Sequence, residues 1–386
     1  MGLRKQQQLR VALAVNMVPP YRVGLFAELA ASEGWNLILF VDAATEHGRH
    51  WDEAKPGTVS RRTRGLSIRR ARWHDQPRPY EETRTIHFPL SLPFQLAWAR
   101  PDVVVSSETG PRTALAALYC WVFRRPCIAW FYSTPALAHG SSHRQARLLR
   151  RMNAIVGMGA ATRAALQNVG IEATKIFDAP NAADTDLVEE VKRDSTGLER
   201  ARQELAEIAG GRRVVVVVGS LIPRKAPLEL LEVWADLPAA LRSEWKLLFI
   251  GSGPLEIEIR AHAADAALAG WRTPRDALLL TAAADLHVLP TLADTWGLVV
   301  NEAMALGTPT VASVHAAATA DLIRDGSNGF VFDVTAPAAT ETLMAALGHT
   351  DLDSIAYAAT TTASTFTPQA MAAGFRSAVD YVLRRE

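Results

Sequence analysis

Cysteine is nearly absent from this chain: Cys120 and Cys127 are the two among 386 residues. They support neither a disulfide framework nor a C-x-x-C metal pattern, and they predict a reducing, cytoplasmic compartment. Long apolar runs are missing too. The longest, residues 114–123, is cut off by Arg124-Arg125-Pro126 before it could span a bilayer. The opening MGLRKQQQLR has no apolar core, so no secretory signal is expected. There is no G-x-G-x-x-G dinucleotide fingerprint, and no nucleic-acid motif accompanies the basic residues. An excess of one charge is absent overall, with 41 Lys and Arg against 40 Asp and Glu.

That balance hides an asymmetry. Counting Lys and Arg against Asp and Glu, residues 1–180 carry about +11 and the rest about −10. The length suffices for two cores, and the split predicts two domains with different partners. A strand at 10–15, a helix at 23–31 and a strand at 36–41 form the β-loop-α-β opening of a doubly wound sheet. Apolar strands follow at 102–106, 126–130 and 154–156. The β-branched run at 214–218 predicts a second parallel sheet, with this strand buried on both faces. The charged segment 187–213 carries a helix leading into it. Asp184-Thr-Asp186 is formally D-x-D, but at this linker it reads as hinge and helix-cap chemistry. Residues 368–384 predict a terminal helix.

The most informative stretch is 286–314, LHVLPTLADTWGLVVNEAMALGTPTVASV. It predicts a buried strand, a turn carrying Asp294, a helix with Glu302 about a turn and a half beyond Gly297, and a second strand. Gly307 is a left-handed stop and Pro309 prevents resumption. A small residue at Gly297 lets a ligand approach the helix N-terminus, where free N–H groups and the dipole favour phosphate. An anion seat between two carboxylates suits a nucleotide-sugar, which has hydroxyls at both ends and a diphosphate between. The plain alternative is a βαβ turn whose acids only cap the helix.

This segment resembles the donor site of GT-B glycosyltransferases, specifically retaining family 4 (glycosyltransferase group 1). The family signature is E-x7-E before EAMA-x-G-x-P; Glu302-Ala-Met-Ala-Leu-Gly-Thr-Pro matches it, and Asp294 stands for the first glutamate. The resemblance implies an α/β GT-B fold: two Rossmann-like, doubly wound parallel-sheet domains facing across a cleft. Their bounds are 1–183 (acceptor-binding), 184–367 (donor-binding) and 368–386 (a helix crossing back). It further implies that Glu302 holds the ribose, Asp294 the transferred sugar, and the amides of Trp296, Gly297 and Leu298 the distal phosphate. Gly219-Ser-Leu-Ile-Pro-Arg-Lys225 matches the family's G-R-L-x-x-x-K-G at Lys225. Ser220 takes the arginine place, and Arg224 is a substitute because a guanidinium reaches phosphate bidentately; a solvated Arg-Lys pair is the alternative. Gly251-Ser-Gly-Pro matches G-x-G-P, Pro180-Asn181-Ala-Ala-Asp184 matches the hinge, and Ala312-Ser-Val-His-Ala departs from a glycine pair.

In the first half, Asn16-Met-Val-Pro-Pro-Tyr-Arg resembles the opening of family members acting on surface polysaccharides or natural products, as does 45–51. Tyr21 and Arg22 would line the acceptor side, or Pro19-Pro20 is simply a rigid turn. Glu108, at a strand's carboxyl end, would orient an acceptor hydroxyl or cap the next helix. His139 is the nearest counterpart of a histidine that relatives place near the sugar; a surface histidine is the alternative. Arg61, Arg62, Arg64, Arg69, Arg70 and Arg72, interleaved with apolar residues up to Trp73, suit an anionic membrane surface or a solvated loop. The whole implies metal-independent transfer with retention, from a UDP-sugar ahead of a GDP-sugar, to a glycan, a lipid-linked sugar or a small molecule. A relic that binds nucleotide-sugar without turnover, and a sugar-nucleotide 2-epimerase, are the competing readings.

Overall fold

Alternation along the first strand fixes the core of the N-terminal half. In β1 (Leu9–Val15), Val11, Leu13 and Val15 point to one face of the sheet and Ala12 and Ala14 to the other. The computed structural model describes residues 8–45, 57–74, 80–132, 143–262 and 266–384. The chain divides into two compact units: Met1–Arg72 with Glu81–Asp184 and Thr367–Glu386, and Trp73–Tyr80 with Thr185–Phe366.

In the first unit β1 is joined by β2 (Trp35–Val41), β3 (Val59–Arg62), β6 (Val103–Ser107), β7 (Cys127–Phe131), β8 (Ala154–Gly157) and β9 (Ile176–Asp178); β4 (Leu66–His74) and β5 (Tyr80–Phe88) form a separate pair. The parallel seven-stranded order is β3-β2-β1-β6-β7-β8-β9. One face packs against helices Val23–Ala30 and Pro368–Leu383, the other against Leu92–Ala99 and Pro111–Phe123. Residues 61–73 are not a loop: they contribute to β3 and β4, because Leu66, Ser67, Ile68 and Arg69 alternate with the period of a strand.

The second unit repeats the plan with β10 (Arg213–Val218), β11 (Trp245–Ile250), β12 (Ala266–Gly270), β13 (Leu286–Leu289), β14 (Thr310–Ser313) and β15 (Phe330–Phe332), in the parallel order β12-β11-β10-β13-β14-β15. Val215, Val217, Trp234, Trp245 and Phe249 fill one face. The charged segment expected to hold one helix holds two, Thr185–Arg193 and Ser195–Ala209. Asp194 divides them, its carboxylate accepting the Gly197 N–H at 2.9 Å as an N-cap. Among the described residues no helix is long and apolar enough to cross a membrane.

The terminal helix, Pro368–Leu383, lies close against the first sheet. Met371, Phe375 and Val379 enter the core, and Phe375 meets Trp130 edge-on with centroids 5.0 Å apart. A Cβ on Gly374 would lie 2.1 Å from the Asp178 carbonyl oxygen. Gly374→Ala therefore forces helix and strand apart. It should cost about 1–3 kcal/mol, the range of overpacking, seen as a lowered urea midpoint with an unchanged slope. A neutral substitution would mean that the helix does not sit this close.

Candidate functional site

Both sheets reverse their strand order next to their first strand, between β1 and β6 and between β10 and β13. Loops leaving the carboxyl ends of strands diverge there and open a crevice, the usual ligand position in such sheets. In the second unit the two loops carry Lys225 and Asp294. Sixty-nine residues apart in sequence, their side chains form an ion pair, with about a fifth of each exposed or less. Burial alone would raise the Asp294 pKa; the Lys225 charge and hydrogen bond, then Arg224 and the Trp296 N–H, outweigh it and hold the carboxyl below its ordinary value.

The loop that presents Asp294 is fixed from several sides. Arg224 Nη1 donates to the Ala293 carbonyl at 2.7 Å, and the Arg224 carbonyl accepts from Thr291 Oγ1 and the Leu292 N–H. Arg224 thus acts as a strut between the two loops, a job the phosphate-clamp expectation did not foresee. Asp294 forms a parallel bridge with Ala316, its N–H donating to the His315 carbonyl at 2.9 Å. The Trp296 N–H, expected on a phosphate, donates at 3.3 Å to the Asp294 carboxylate. The Trp296 indole is buried and its Nε1 donates to Asn301 at 2.6 Å. That leaves Gly297 and Leu298 as the amides at the helix start.

Gly297 precedes the helix Leu298–Leu306 with φ 95°, a left-handed conformation suited to glycine. A Cβ there would lie 2.9 Å from Leu289 Cδ2 and 3.2 Å from the Ala316 Cβ. Glu302 is partly exposed one turn in, and Gly307 ends the helix in the left-handed conformation. Gly251 lets the loops after β10 and β11 touch backbone to backbone, since its Cβ would lie 1.9 Å from the Gly219 carbonyl oxygen. Ser220 is exposed on the first of these loops.

In the first unit Arg22 follows β1, Glu108 follows β6 and Tyr132 follows β7. Tyr132 O–H donates to Glu108 Oε1 at 2.8 Å, and Tyr21 and Arg22 both influence the same phenol electrostatically. Burial, then the Glu108 charge, pushes the Tyr132 pKa well above that of a free phenol. Arg22 is buried, its guanidinium 4.2 Å from the Trp130 ring centroid, and its Nη1 has no hydrogen-bond partner among the described residues. Glu108 does not cap the next helix, whose N-cap is Gly110. Instead it lies 3.9 Å from Arg112, which forms a buried 2.7 Å ion pair with Asp42. His139 and residues 46–51 lie outside the described residues. Among the described residues no three His, Cys, Asp or Glu side chains are grouped to hold a metal.

Two residues escaped the sequence reading. Tyr132 lies just beyond the apolar strand read at 126–130 and was given no role there. His287 lies in the apolar strand β13, fully buried, with neither ring nitrogen hydrogen-bonded among the described residues. A single imidazole in LHVL was the available signal. Burial, aided by the nearby Lys225 charge, depresses its pKa to about 3. The unfolded chain takes up this proton near pH 6.5 and the folded chain does not, so acid favours unfolding. Stability should therefore fall from about pH 6.5 toward 3, and His287→Leu should flatten that limb. Urea midpoints of both proteins across this range check it; parallel curves would contradict it.

The family described as glycosyl transferases group 1 matches residues 200–354, within which Lys225, Asp294, Gly297 and Glu302 all fall. Over 154 residues the chain is 30% identical to a GDP-mannose-dependent alpha-mannosyltransferase of Corynebacterium glutamicum, covering 39% of this chain and 36% of that protein. The match thus spans about a third of that relative's length. The fold is similar to the crystal structure of Anabaena Alr3699/HepE in complex with UDP, with TM-score 0.71, 17% identity, and 97% of this chain and 100% of that one covered. It is likewise similar to a glycosyltransferase from Rickettsia africae, with TM-score 0.73, 14% identity, and 98% and 100% covered. The chain has the GT-B fold of two parallel-sheet α/β units, and residues 200–354 of its second unit match the model of the glycosyl transferases group 1 family.

Proposed function

We propose that the chain moves a sugar from a nucleotide-sugar to an acceptor hydroxyl, with retention at the anomeric carbon and without a metal ion. One observation carries this reading: Lys225 and Asp294 meet at the switch point of the second sheet, just before a helix opened at its N-terminus by Gly297. Departure of a nucleoside diphosphate builds negative charge on the leaving oxygen. The Lys225 ammonium and the Gly297 and Leu298 amides are placed to stabilise it. A diphosphate competes with Asp294 for Lys225, and the carboxylate released from that pair accepts a hydroxyl of the sugar. Glu302 serves the ribose. The acceptor's proton passes to the leaving phosphate oxygen as the new glycosidic bond forms, so no separate base is needed.

The acceptor falls to Tyr21, Arg22 and Glu108 in the first unit. The Glu108–Tyr132 hydrogen bond orients a carboxylate toward a hydroxyl of a surface polysaccharide, glycolipid or natural product. The donor base is open between two supports: the Corynebacterium relative is named for GDP-mannose and the Anabaena structure holds UDP. We keep the UDP-sugar as first choice, and a thermal-shift panel of UDP- and GDP-sugars decides. The matching nucleotide at a hundredfold excess over Kd adds about 2.7 kcal/mol of stability.

A second reading has support of its own. Asp294 already satisfies Lys225, and Ser220 replaces an arginine, as in a relic that binds without turnover. Lys225→Ala and Glu302→Ala should each lower transfer by at least about tenfold while leaving the circular dichroism unchanged. Wild-type rates in either variant place the site elsewhere. Nucleotide binding with no transfer or donor hydrolysis by the wild type establishes the relic instead.

A further inference from the structure

Two helices of the first unit are apolar on the side that faces water. Leu92–Ala99 (LPFQLAWA) contains no charged residue, and in Pro111–Phe123 (PRTALAALYCWVF) the one charge, Arg112, is buried. Their inner sides, Leu92 and Leu96 on one and Ala116, Tyr119 and Cys120 on the other, complete the core. Their outer sides leave Phe94 77%, Trp98 75% and Trp121 79% exposed, with Leu118, Val122 and Phe123 more than half exposed. Phe94 and Trp98 are four residues apart, as are Leu118 and Val122, so each set lines one face. The two helices pack side by side. Scattered exposed apolar residues are ordinary; adjoining faces with large aromatics and no charge are not.

Arginines surround these faces. The Arg61 guanidinium stacks over the Trp98 ring at 4.1 Å, and Arg64 is tied to the start of the first helix through hydrogen bonds of its N–H and carbonyl with Ser91. Each helix ends in an arginine in the left-handed conformation, Arg100 with φ 49° and Arg124 with φ 51°. Glycine fits that position with less strain, so arginine is held there at a conformational disadvantage. A cation at a helix C-terminus is favourable, but it would be so from the last helical turn as well. Residues 57–72, 89–100 and 111–127 contain no Asp or Glu.

We infer that the outer faces of these two helices dock onto an anionic lipid bilayer. Tryptophan and phenylalanine settle at the headgroup boundary, and the arginines neutralise lipid phosphates around them. A second copy of this chain fits worse: a two-fold contact sets the same patch on itself and brings arginine rim against arginine rim. The sequence pointed to 61–73 for such contact; the inference places it on the helices, with Arg61 and Arg64 at their edge. The inference does not rest on the transfer reading, and its failure would leave that reading intact.

The test is co-sedimentation of the full chain with phosphatidylcholine vesicles, with and without about a quarter phosphatidylglycerol. Expected is binding to the anionic vesicles, weakened by high salt and at least about tenfold weaker on neutral ones. Trp98→Ser with Trp121→Ser, and separately Arg61→Glu with Arg124→Glu, should each reduce it at least about tenfold. All four positions are on the surface, so the thermal midpoint should hold. A wild type that stays in the supernatant overturns the inference, as do variants that bind like wild type. A dimer in sedimentation velocity that Trp121→Ser dissociates, without vesicle binding, overturns it in favour of a second copy.

Discussion

The ion pair between Lys225 and Asp294 depends on strand order. Neither residue has a local reason to meet the other. They meet because β10 and β13 are neighbours, although β11 and β12 lie between them in sequence. A parallel sheet sends every strand's carboxyl end to the same edge, so a reversal of order brings two distant loops to one crevice. The surrounding hydrogen bonds then narrow the geometry. Arg224 holds Ala293, the Asp294–Ala316 bridge holds the turn, and the Trp296 N–H fixes the carboxylate. A buried ion pair gives little net stability once desolvation is counted. Its value here is positional, because it holds an ammonium and a carboxylate together, largely out of bulk water, where the two loops meet.

The first unit applies the same rule with different chemistry. Its switch point, between β1 and β6, brings together Arg22 and Glu108, with Tyr132 arriving from the adjacent β7. Here the cation lies on an aromatic ring instead of against a carboxylate, and the carboxylate accepts from a phenol. A guanidinium over Trp130 keeps donors available in a way an ion pair would not. Arg112 and Asp42 form the rigid support beneath, where both charges are almost fully buried and paired. One crevice therefore holds an ion pair, and the other a guanidinium on an aromatic ring beside a carboxylate that is hydrogen-bonded to a phenol.

Much of this could be read from the chain alone. The run VVVVV at 214–218 has the length and β-branching of a strand buried on both faces, and the glycines at 297 and 307 marked the helix ends. What could not be read depends on where backbone carbonyls and N–H groups go. Nothing in Pro223-Arg-Lys tells that the arginine turns to Ala293 while the lysine turns to Asp294. The Trp296 N–H looked available because the folding back of the Asp294 side chain is set by the Ala316 contact, not by the turn's own residues. His287 was hidden for a similar reason, since a single imidazole hardly alters the apolar period of a four-residue strand. The helix Leu92–Ala99 went unread in the sequence. Without a charge and with Gln95 as its one polar residue, it carries no pattern that marks an outer side, and only the packing reveals that one side has no partner in the core.

The same distinction accounts for the charge asymmetry. A basic half and an acidic half suggest a phosphate site in the first, yet the arginines that create the excess are not at its switch point. Six of them, from Arg61 to Arg72, fall within residues 57–72, where no acid offsets them. Arg100 and Arg124 add to these at the ends of the two apolar helices. At the strand ends Arg112 is cancelled by Asp42, and Arg22 is one charge near Glu108. The basic excess is therefore a property of a surface, and the crevice is close to neutral. An anionic ligand in that crevice would have to be recognised by the geometry of one guanidinium, whereas an anionic surface meets a field of many, and the two demands can be tuned independently.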